Sequence, residues 1–359
     1  MTRFFLLAGL FMFLLIIDKA WAADDTFFSC SITRDTETGW NSVTLNAENK
    51  TDPHKSLSVK ITPEGGNNLY SFTIGGTELL HGPEKLSQLS KQFLGTPILF
   101  PTPNRVRNGM YVFLGDTLKM SLPGETKLRT IHGLVWDDPS WKFDQPAFGK
   151  NSASFKAWYI FDKNNPRLEG YPFPNTLTVQ YTLLSDRVRI SYEVVNQGMK
   201  PLGFGFALHP FWNVIGAKDQ VTIKVPLPYH MDATNMLPSG KLDTVTGDSK
   251  WSLLAPKPLS GLRLDDVYFG STPKREVVTM FNSIGIELRQ RATADFTHVV
   301  VYTPDRDYFC LENQTCSTDA HNLFSKGLVK ESHLQILKPG QKTGGEVEYI
   351  VVWEKKPLK

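Results

Sequence analysis

This 359-residue sequence contains few cysteines and few long apolar runs, and its positive and negative charges are nearly balanced. Its three cysteines, Cys30, Cys310 and Cys316, are too few and too poorly spaced for a structural zinc site. The formal net charge is only +3, and no block of lysine and arginine is long enough to bind nucleic acid or a membrane surface. Apart from the N-terminus, no stretch is apolar enough to span a bilayer. We therefore expect no metal site, no nucleic-acid partner and no membrane association of the mature chain.

The sequence also lacks helical periodicity, because no window of twelve or more residues carries a clean apolar stripe bounded by caps. Short segments with period-2 alternation are present instead, and they are rich in β-branched and aromatic residues. The clearest are residues 57–62, 176–181 and 187–194, and the apolar runs 299–302 and 349–353 are typical of buried strands. No linker or internal repeat divides the chain. The pattern predicts an all-β protein with a large antiparallel β-sandwich or barrel, formed as a single domain.

The N-terminal residues have the composition of a secretory signal peptide. Arg3 is followed by an almost unbroken apolar run over residues 4–17, and Ala20-Trp21-Ala22 matches a cleavage site. The run is short for a bilayer-spanning helix, although an uncleaved anchor is the alternative. We expect cleavage after Ala22, which leaves a domain of residues 23–359 that is soluble and secreted or periplasmic.

Chemistry-bearing residues fall into five short segments. The first is residues 95–109, with Phe100-Pro101 ahead of Asn104-Arg105. The second is Ile131-His132-Gly133, and the third is residues 205–214, containing His209-Pro210-Phe211-Trp212-Asn213. The fourth is Leu264-Asp265-Asp266-Val267-Tyr268, and the fifth is residues 309–322, beginning Phe309-Cys310-Leu311-Glu312.

In their types and order, these segments resemble motifs of the aldose 1-epimerase (galactose mutarotase) family. The resemblance implies that His209 is a general acid and Glu312 a general base, and that Arg105, His132 and Asp265 bind sugar hydroxyls. Asp266 is nearly as good a match as Asp265. It further implies a galactose mutarotase-like supersandwich, a free aldose such as glucose or galactose as substrate, no cofactor and, by default, a monomer.

The sequence departs from the family pattern over residues 135–139 and 316–318 and at three single positions. Leu134 stands where a second glycine is usual, Asn313 replaces a threonine after the glutamate, and Gln341 replaces a glutamate in the turn Lys338-Pro339-Gly340-Gln341. None of these changes removes a reacting group. The resemblance is therefore closer for the catalytic pair than for the residues that bind the sugar.

The two residue types suit mutarotation, which opens a cyclic hemiacetal and closes it on the other face. A proton must leave the anomeric hydroxyl while another reaches the ring oxygen, so one acid and one base are sufficient. His209 has an ordinary pKa near neutrality, and partial burial is expected to raise the pKa of Glu312, with a protonated His209 limiting that rise. Phe211 or Trp212 would offer an apolar face to the sugar C–H groups.

Three other functions fit parts of the pattern. A non-catalytic carbohydrate-binding protein on the same fold would need aromatic residues but not both His209 and Glu312. An accessory domain of a glycoside hydrolase or lyase generally needs two carboxylates. A hexose-6-phosphate 1-epimerase needs a basic cluster for phosphate, for which Arg105, Arg107 and Arg129 are candidates, although predicted export disfavours a phosphorylated sugar.

Two modifications remain open on the sequence alone. Cys310 and Cys316 lie close enough to pair if the segment between them turns back, which would leave Cys30 single. Asn49-Lys50-Thr51 and Asn313-Gln314-Thr315 match the glycosylation pattern, which matters only in a eukaryotic source.

Overall fold

A computed structural model describes residues 26–354 and is dominated by β-strands. The signal peptide predicted for residues 1–22 lies outside this range. The strands are β1 (Thr26–Arg34), β2 (Asn41–Asn49), β3 (Leu57–Thr62), β4 (Asn68–Ile74), β5 (Thr77–Glu78), β6 (Ile98–Leu99), β7 (Met110–Phe113), β8 (Asp116–Lys119), β9 (Lys142–Phe143), β10 (Ala147–Phe148), β11 (Ala153–Phe161), β12 (Asn175–Leu183), β13 (Arg187–Asn196), β14 (Leu202–Phe204), β15 (Ala207–Leu208), β16 (Phe211–Asn213), β17 (Val221–Lys224), β18 (Tyr229–Thr234), β19 (Leu237–Thr244), β20 (Lys257–Pro258), β21 (Asp265–Phe269), β22 (Val277–Phe281), β23 (Ile286–Ala292), β24 (His298–Tyr302), β25 (Tyr308–Gln314), β26 (Gln335–Leu337) and β27 (Lys342–Trp353).

Helices are short in the described chain. Two α-helices, α1 (Ala320–Ser325) and α2 (Val329–Ser332), follow β25, and 3-10 turns occur at Pro53–Lys55, Leu86–Ser90, Arg107–Gly109, Pro166–Glu169 and Lys218–Gln220. Between residues 26 and 354 no helix has the length and apolar character needed to cross a bilayer.

Three large antiparallel sheets make up the architecture. The N-terminal sheet has the order β1-β2-β3-β4-β5. A ten-stranded sheet runs β10-β11-β12-β13-β27-β23-β22-β17-β20, with β9 added beside β11. An eight-stranded sheet runs β19-β18-β21-β24-β25-β15-β6, with β16 also paired to β25. The large antiparallel β-sandwich predicted from the sequence is confirmed.

Side-chain alternation explains how these sheets pack. Along β12 and β13 every second residue is buried, which is the pattern of strands with one face against a core. Aromatic rings join the eight-stranded sheet to the ten-stranded sheet: Trp212 meets Tyr349 at a centroid distance of 5.0 Å, and Phe309 meets Phe281 at 6.5 Å. The buried apolar side chains of all three sheets form one continuous core.

The strands predicted from the sequence are present. Residues 57–62 form β3 without change of bounds, and residues 176–181 and 187–194 lie within β12 and β13. The apolar runs 299–302 and 349–353 lie within β24 and β27, where they are largely buried. Strong alternation and β-branched content were therefore reliable signals.

Candidate active site

Alternation along β24 and β25 decides which of their side chains reach the open face of the eight-stranded sheet. Val301 and Leu311 point into the core beneath the sheet. Their neighbours Val300 and Glu312 are paired across the two strands and line a cavity on the opposite face. A carboxylate is thus placed on a rigid strand in the interior of the sheet.

The cavity has a volume of about 280 Å³, which suits a single sugar ring. Each of the five site residues expected from the sequence lies in its wall. The full lining is Phe93, Asn104, Arg105, Ile131, His132, His209, Phe211, Asp265, Val300, Tyr302, Tyr308 and Glu312.

His209 and Glu312 are in direct contact although they are remote in the sequence. His209 Nε2 lies 3.1 Å from Glu312 Oε1. The second carboxylate oxygen of Glu312 accepts a hydrogen bond of 2.9 Å from Gln314 Nε2. His209 follows β15, and its backbone N–H donates to the carbonyl of Pro97 at 3.1 Å, which holds the imidazole against the first motif. Both side chains are less than one-tenth exposed.

Burial shapes the protonation of this pair. It raises the pKa of Glu312 to about 8, against a smaller lowering by the Gln314 hydrogen bond. It also lowers the pKa of His209 to about 3. Both pKa changes favour the uncharged form of the side chain, because burial disfavours an isolated charge. Between those limits the pair holds a single proton, which lies on Glu312 within 3.1 Å of His209 Nε2.

Arg105 and Asp265 face each other at another part of the wall. Arg105 Nη2 lies 3.6 Å from Asp265 Oδ2, and each side chain is about one-third exposed. Burial raises the pKa of Asp265, with the Arg105 guanidinium acting in the opposite direction. Asp266 instead lies 2.6 Å from His230 Nε2, outside this cavity. The geometry therefore favours Asp265 over Asp266 as a ligand for a sugar in the cavity.

His132 occupies a strained stretch of backbone. Its φ is +66°, and the φ of Gly133 is +68°. A Cβ on Gly133 would lie 2.3 Å from the carbonyl oxygen of Phe100, so only glycine fits there. Backbone bridges join Phe100 to Gly133 and Arg105 to Ile131, and these two contacts fasten the Arg105 loop to the His132 loop.

The His132 ring is packed between aromatic groups and is neutral at physiological pH. It stacks on Phe93 at a centroid distance of 4.3 Å and meets His209 edge to face at 5.2 Å. Burial lowers its pKa well below 6.5, and His209 and Arg105 contribute further lowering. A neutral imidazole can donate one hydrogen bond and accept another, as recognition of a hydroxyl requires.

A profile of the aldose 1-epimerase family matches residues 50–349, which is most of the chain. The chain belongs to the aldose 1-epimerase family.

Solved structures and a sequence relative are similar to this chain. The chain is similar to a galactose mutarotase-like protein from Clostridium acetobutylicum, with a TM-score of 0.78 at 18% identity over 92% of this chain and 100% of that one. Galactose 1-epimerase from Lactobacillus acidophilus gives a TM-score of 0.71 at 16% identity, again over 92% and 100%. The Escherichia coli protein YihR is 28% identical over 149 residues, which span 41% of this chain and 44% of that protein. At these identities the solved structures establish the fold.

For this member of the family, one sequence expectation needs correction. Trp212 is fully buried and packs on Tyr349, so it is not available to a sugar. Phe211, its neighbour on β16, lines the cavity and stacks on His209 at 4.6 Å. The two residues lie on opposite faces of one strand, and only one of them can face the site.

The basic cluster considered for a phosphate does not converge on the cavity. Arg129 is paired with Asp137 at 2.7 Å, and Arg107 is directed toward Asp319 at 3.6 Å. Only Arg105 of the three lines the cavity wall. This arrangement offers no concentrated positive charge to a hexose 6-phosphate.

The structure shows the state of the three cysteines and the location of the two glycosylation patterns. Cys310 and Cys316 are buried and unpaired, and Cys30 is also a free thiol. Asn313 is buried on β25, where a glycan cannot be attached without disrupting the sheet, whereas Asn49 lies at the end of β2. In residues 26–354 no group of three or more His, Cys, Asp or Glu side chains is arranged to hold a metal ion.

Six wall residues were not foreseen from the sequence as part of the site, and Ile131 and Val300 are the two apolar aliphatic ones among them. Tyr302 and Tyr308 come from β24 and β25, and alternation relative to Glu312 would have placed both on its face. Asn104 precedes Arg105 and accepts a hydrogen bond from its guanidinium at 3.2 Å. Phe93 lies in a loop without a motif, and no sequence signal points to it.

Proposed function

We propose that this protein is an aldose 1-epimerase that interconverts the α and β anomers of a free sugar by acid–base catalysis. The observation that carries the proposal is the 3.1 Å contact between His209 Nε2 and Glu312 Oε1 inside a sugar-sized cavity. Opening a hemiacetal requires one general base and one general acid, because one proton leaves the substrate as another arrives. A pair that shares a single proton can supply both.

In the free site the pKa values place the shared proton on Glu312, so the reacting arrangement forms when that proton passes to His209 and leaves a carboxylate on Glu312. A bound sugar replaces the direct contact between them, so that Glu312 accepts the proton of the anomeric hydroxyl while His209 protonates the ring oxygen. The C1–O5 bond breaks and leaves an open-chain aldehyde. Rotation about the bond from C1 to C2 presents the other carbonyl face, and reversal of both proton transfers closes the ring with the opposite configuration.

The remaining wall residues hold the ring during this exchange. Arg105 and Asp265 offer a charged donor and a charged acceptor, which form the stronger class of hydrogen bonds to hydroxyls. His132 supplies a neutral donor beside the reacting pair. Phe211 presents an apolar ring to the sugar C–H groups. No step in this scheme calls for a cofactor or a metal ion.

Polarimetry on freshly dissolved α-D-glucose and α-D-galactose tests the proposal. We expect acceleration by the wild-type protein and losses of about 10²- to 10⁴-fold for His209→Asn and for Glu312→Gln. His54→Ala and Glu193→Gln change an exposed histidine and a half-exposed glutamate that do not line the cavity, and they should retain full activity. Sugar binding without any acceleration by the wild type would indicate a carbohydrate-binding protein instead. Full activity in both site variants would refute the assigned pair.

We also propose that residues 1–22 are a cleaved signal peptide and that the mature protein functions outside the cytosol. The proposal rests on the charge of Arg3, the apolar run and the Ala20-Trp21-Ala22 sequence. Mass spectrometry of the protein recovered from a secreting host should give an N-terminus at Ala23. Recovery of the intact chain from the membrane fraction would favour the uncleaved anchor.

A further inference from the structure

A second cavity of about 310 Å³ adjoins the first beside β21 and β18 of the eight-stranded sheet. The two cavities share three wall residues, Asn104, Arg105 and Asp265. Beyond them the second cavity is lined by residues of β18 and β19 and by Trp251. A single sugar ring in the first cavity would leave this neighbouring space unfilled.

Strand order gives the direction in which the paired cavities extend. Glu312 lies on β25, Asp265 on β21 and Met231 on β18, all on one face by their register, and these strands follow one another as β25-β24-β21-β18. Three strand spacings of about 4.8 Å separate the first from the last, or about 14 Å in total. The site therefore forms a trough across the strands, with the reacting pair at one end and Asp265 near its middle.

The second cavity is polar in a way that suits hydroxyl groups. Asp232, Asp243 and Lys250 contribute charged groups to its wall. His230 is more than nine-tenths buried, and its Nδ1 has no partner among the described residues. Trp251 Nε1 is likewise unpaired there. Both atoms are enclosed by protein, so the polar side chains that this wall offers to a ligand are Asp232, Asp243 and Lys250.

The aromatic residues of the second cavity are held in place by their own contacts. His230 stacks on Trp251 at a centroid distance of 4.5 Å, and its Nε2 is fixed by Asp266 at 2.6 Å. The ammonium group of Lys250 lies 5.2 Å from the Trp251 ring centroid. A wall with fixed donors and acceptors needs little reordering when a ligand enters.

From this arrangement we propose that the second cavity is a subsite for a second sugar ring, and that the preferred substrate is a reducing disaccharide or longer oligosaccharide. This inference rests on the proposed function. The reducing ring occupies the first cavity, with C1 at His209 and Glu312. The glycosidic linkage lies beside Arg105 and Asp265, and the next ring binds among the polar groups of β18 and β19.

A substitution that fills only the second cavity tests this subsite. Ala233 is exposed on β18 and lines the second cavity but not the first, so Ala233→Trp should block the second ring. Thr234, the next residue, is also exposed but lines neither cavity, which makes Thr234→Trp a matched control. Anomer exchange is followed by NMR for glucose, maltose, cellobiose, lactose and melibiose, which cover 1→4 and 1→6 linkages.

We expect kcat/KM to be at least tenfold higher for one of the disaccharides than for glucose. Ala233→Trp should remove that advantage and leave glucose exchange within twofold of wild type, and Thr234→Trp should retain it. Equal values for all the sugars, or equal losses on glucose and disaccharide in Ala233→Trp, would overturn the subsite and leave the proposed function intact.

A binding measurement separates failure of the subsite from failure of the catalytic proposal. Calorimetric titration measures the binding affinity for glucose and for the preferred disaccharide without any turnover. If no disaccharide is exchanged faster than glucose, all four disaccharides are titrated. If the wild-type protein exchanges no sugar at all, the proposed catalytic function fails. The subsite then stands if Ala233→Trp weakens disaccharide binding at least tenfold relative to Thr234→Trp, and it falls if the two variants bind alike.

Discussion

Replacing Glu312 by glutamine should stabilise the protein, and the gain should grow with pH. Glutamine has the shape of a protonated glutamate and preserves both contacts of that side chain. Its amide nitrogen can donate to His209 Nε2, and its amide oxygen can accept from Gln314 Nε2. The variant therefore mimics the uncharged form that burial favours, while it removes the proposed catalytic base.

The magnitude follows from the pKa of Glu312, which burial raises from 4.5 to about 8. Because the folded chain holds this proton more tightly than the unfolded chain, the glutamate contributes stability at low pH that is lost as pH rises toward 8. Each pH unit in that window changes the free energy of unfolding by about 1.4 kcal/mol. Between pH 5 and pH 8 the variant should gain roughly 4 kcal/mol on the wild type.

Urea denaturation of both proteins at pH 5, 6, 7 and 8 measures this difference directly. Glu193→Gln, which removes a half-exposed carboxylate on β13, provides the reference for loss of a surface glutamate. Free energies of unfolding that run parallel in wild type and Glu312→Gln across the whole range would mean that Glu312 titrates normally. The account of a buried pair with one proton would then be wrong.

Four further predictions concern the same site and its core. The kcat/KM of the wild type should fall above about pH 8, where Glu312 loses the proton that the pair shares, as a pH–rate profile would show. Arg105→Ala should lower kcat/KM roughly 10- to 100-fold and move that fall to higher pH, because Arg105 lowers the pKa of Glu312; an unmoved limb would contradict this. Trp212→Ala should cost about 3–5 kcal/mol of stability, measured by urea denaturation. EDTA should leave the polarimetric rate unchanged, and recovery of a lost rate by a divalent metal would contradict this.

Much of the fold followed from the sequence because period-2 alternation reports directly on a half-buried strand. Residues 176–181 and 187–194 show it over β12 and β13, which lie on the core for their whole length. The site residues His209 and Glu312 were found through motifs around them. Their contact was not derivable locally, since it depends on β15 and β25 being neighbours in the sheet.

What the sequence left open has specific physical causes. Phe211 and Trp212 alternate on one strand, but alternation alone does not say which of the two faces meets the core. Asp265 and Asp266 posed the same problem at the start of β21. Phe93 reaches His132 from a loop whose path is set by tertiary contacts, so neither periodicity nor composition identifies it.

The two backbone bridges between the Arg105 and His132 loops have a consequence for molecular recognition. Since Phe100 joins Gly133 and Arg105 joins Ile131, the guanidinium and the imidazole belong to one stiff unit rather than to two separate arms. A carbohydrate would bind to side chains that are already in position, and little binding free energy would be lost to the ordering of flexible loops. The same stiffness makes both side chains sensitive to a change at residue 133. A methyl group there would displace Arg105 and His132 together.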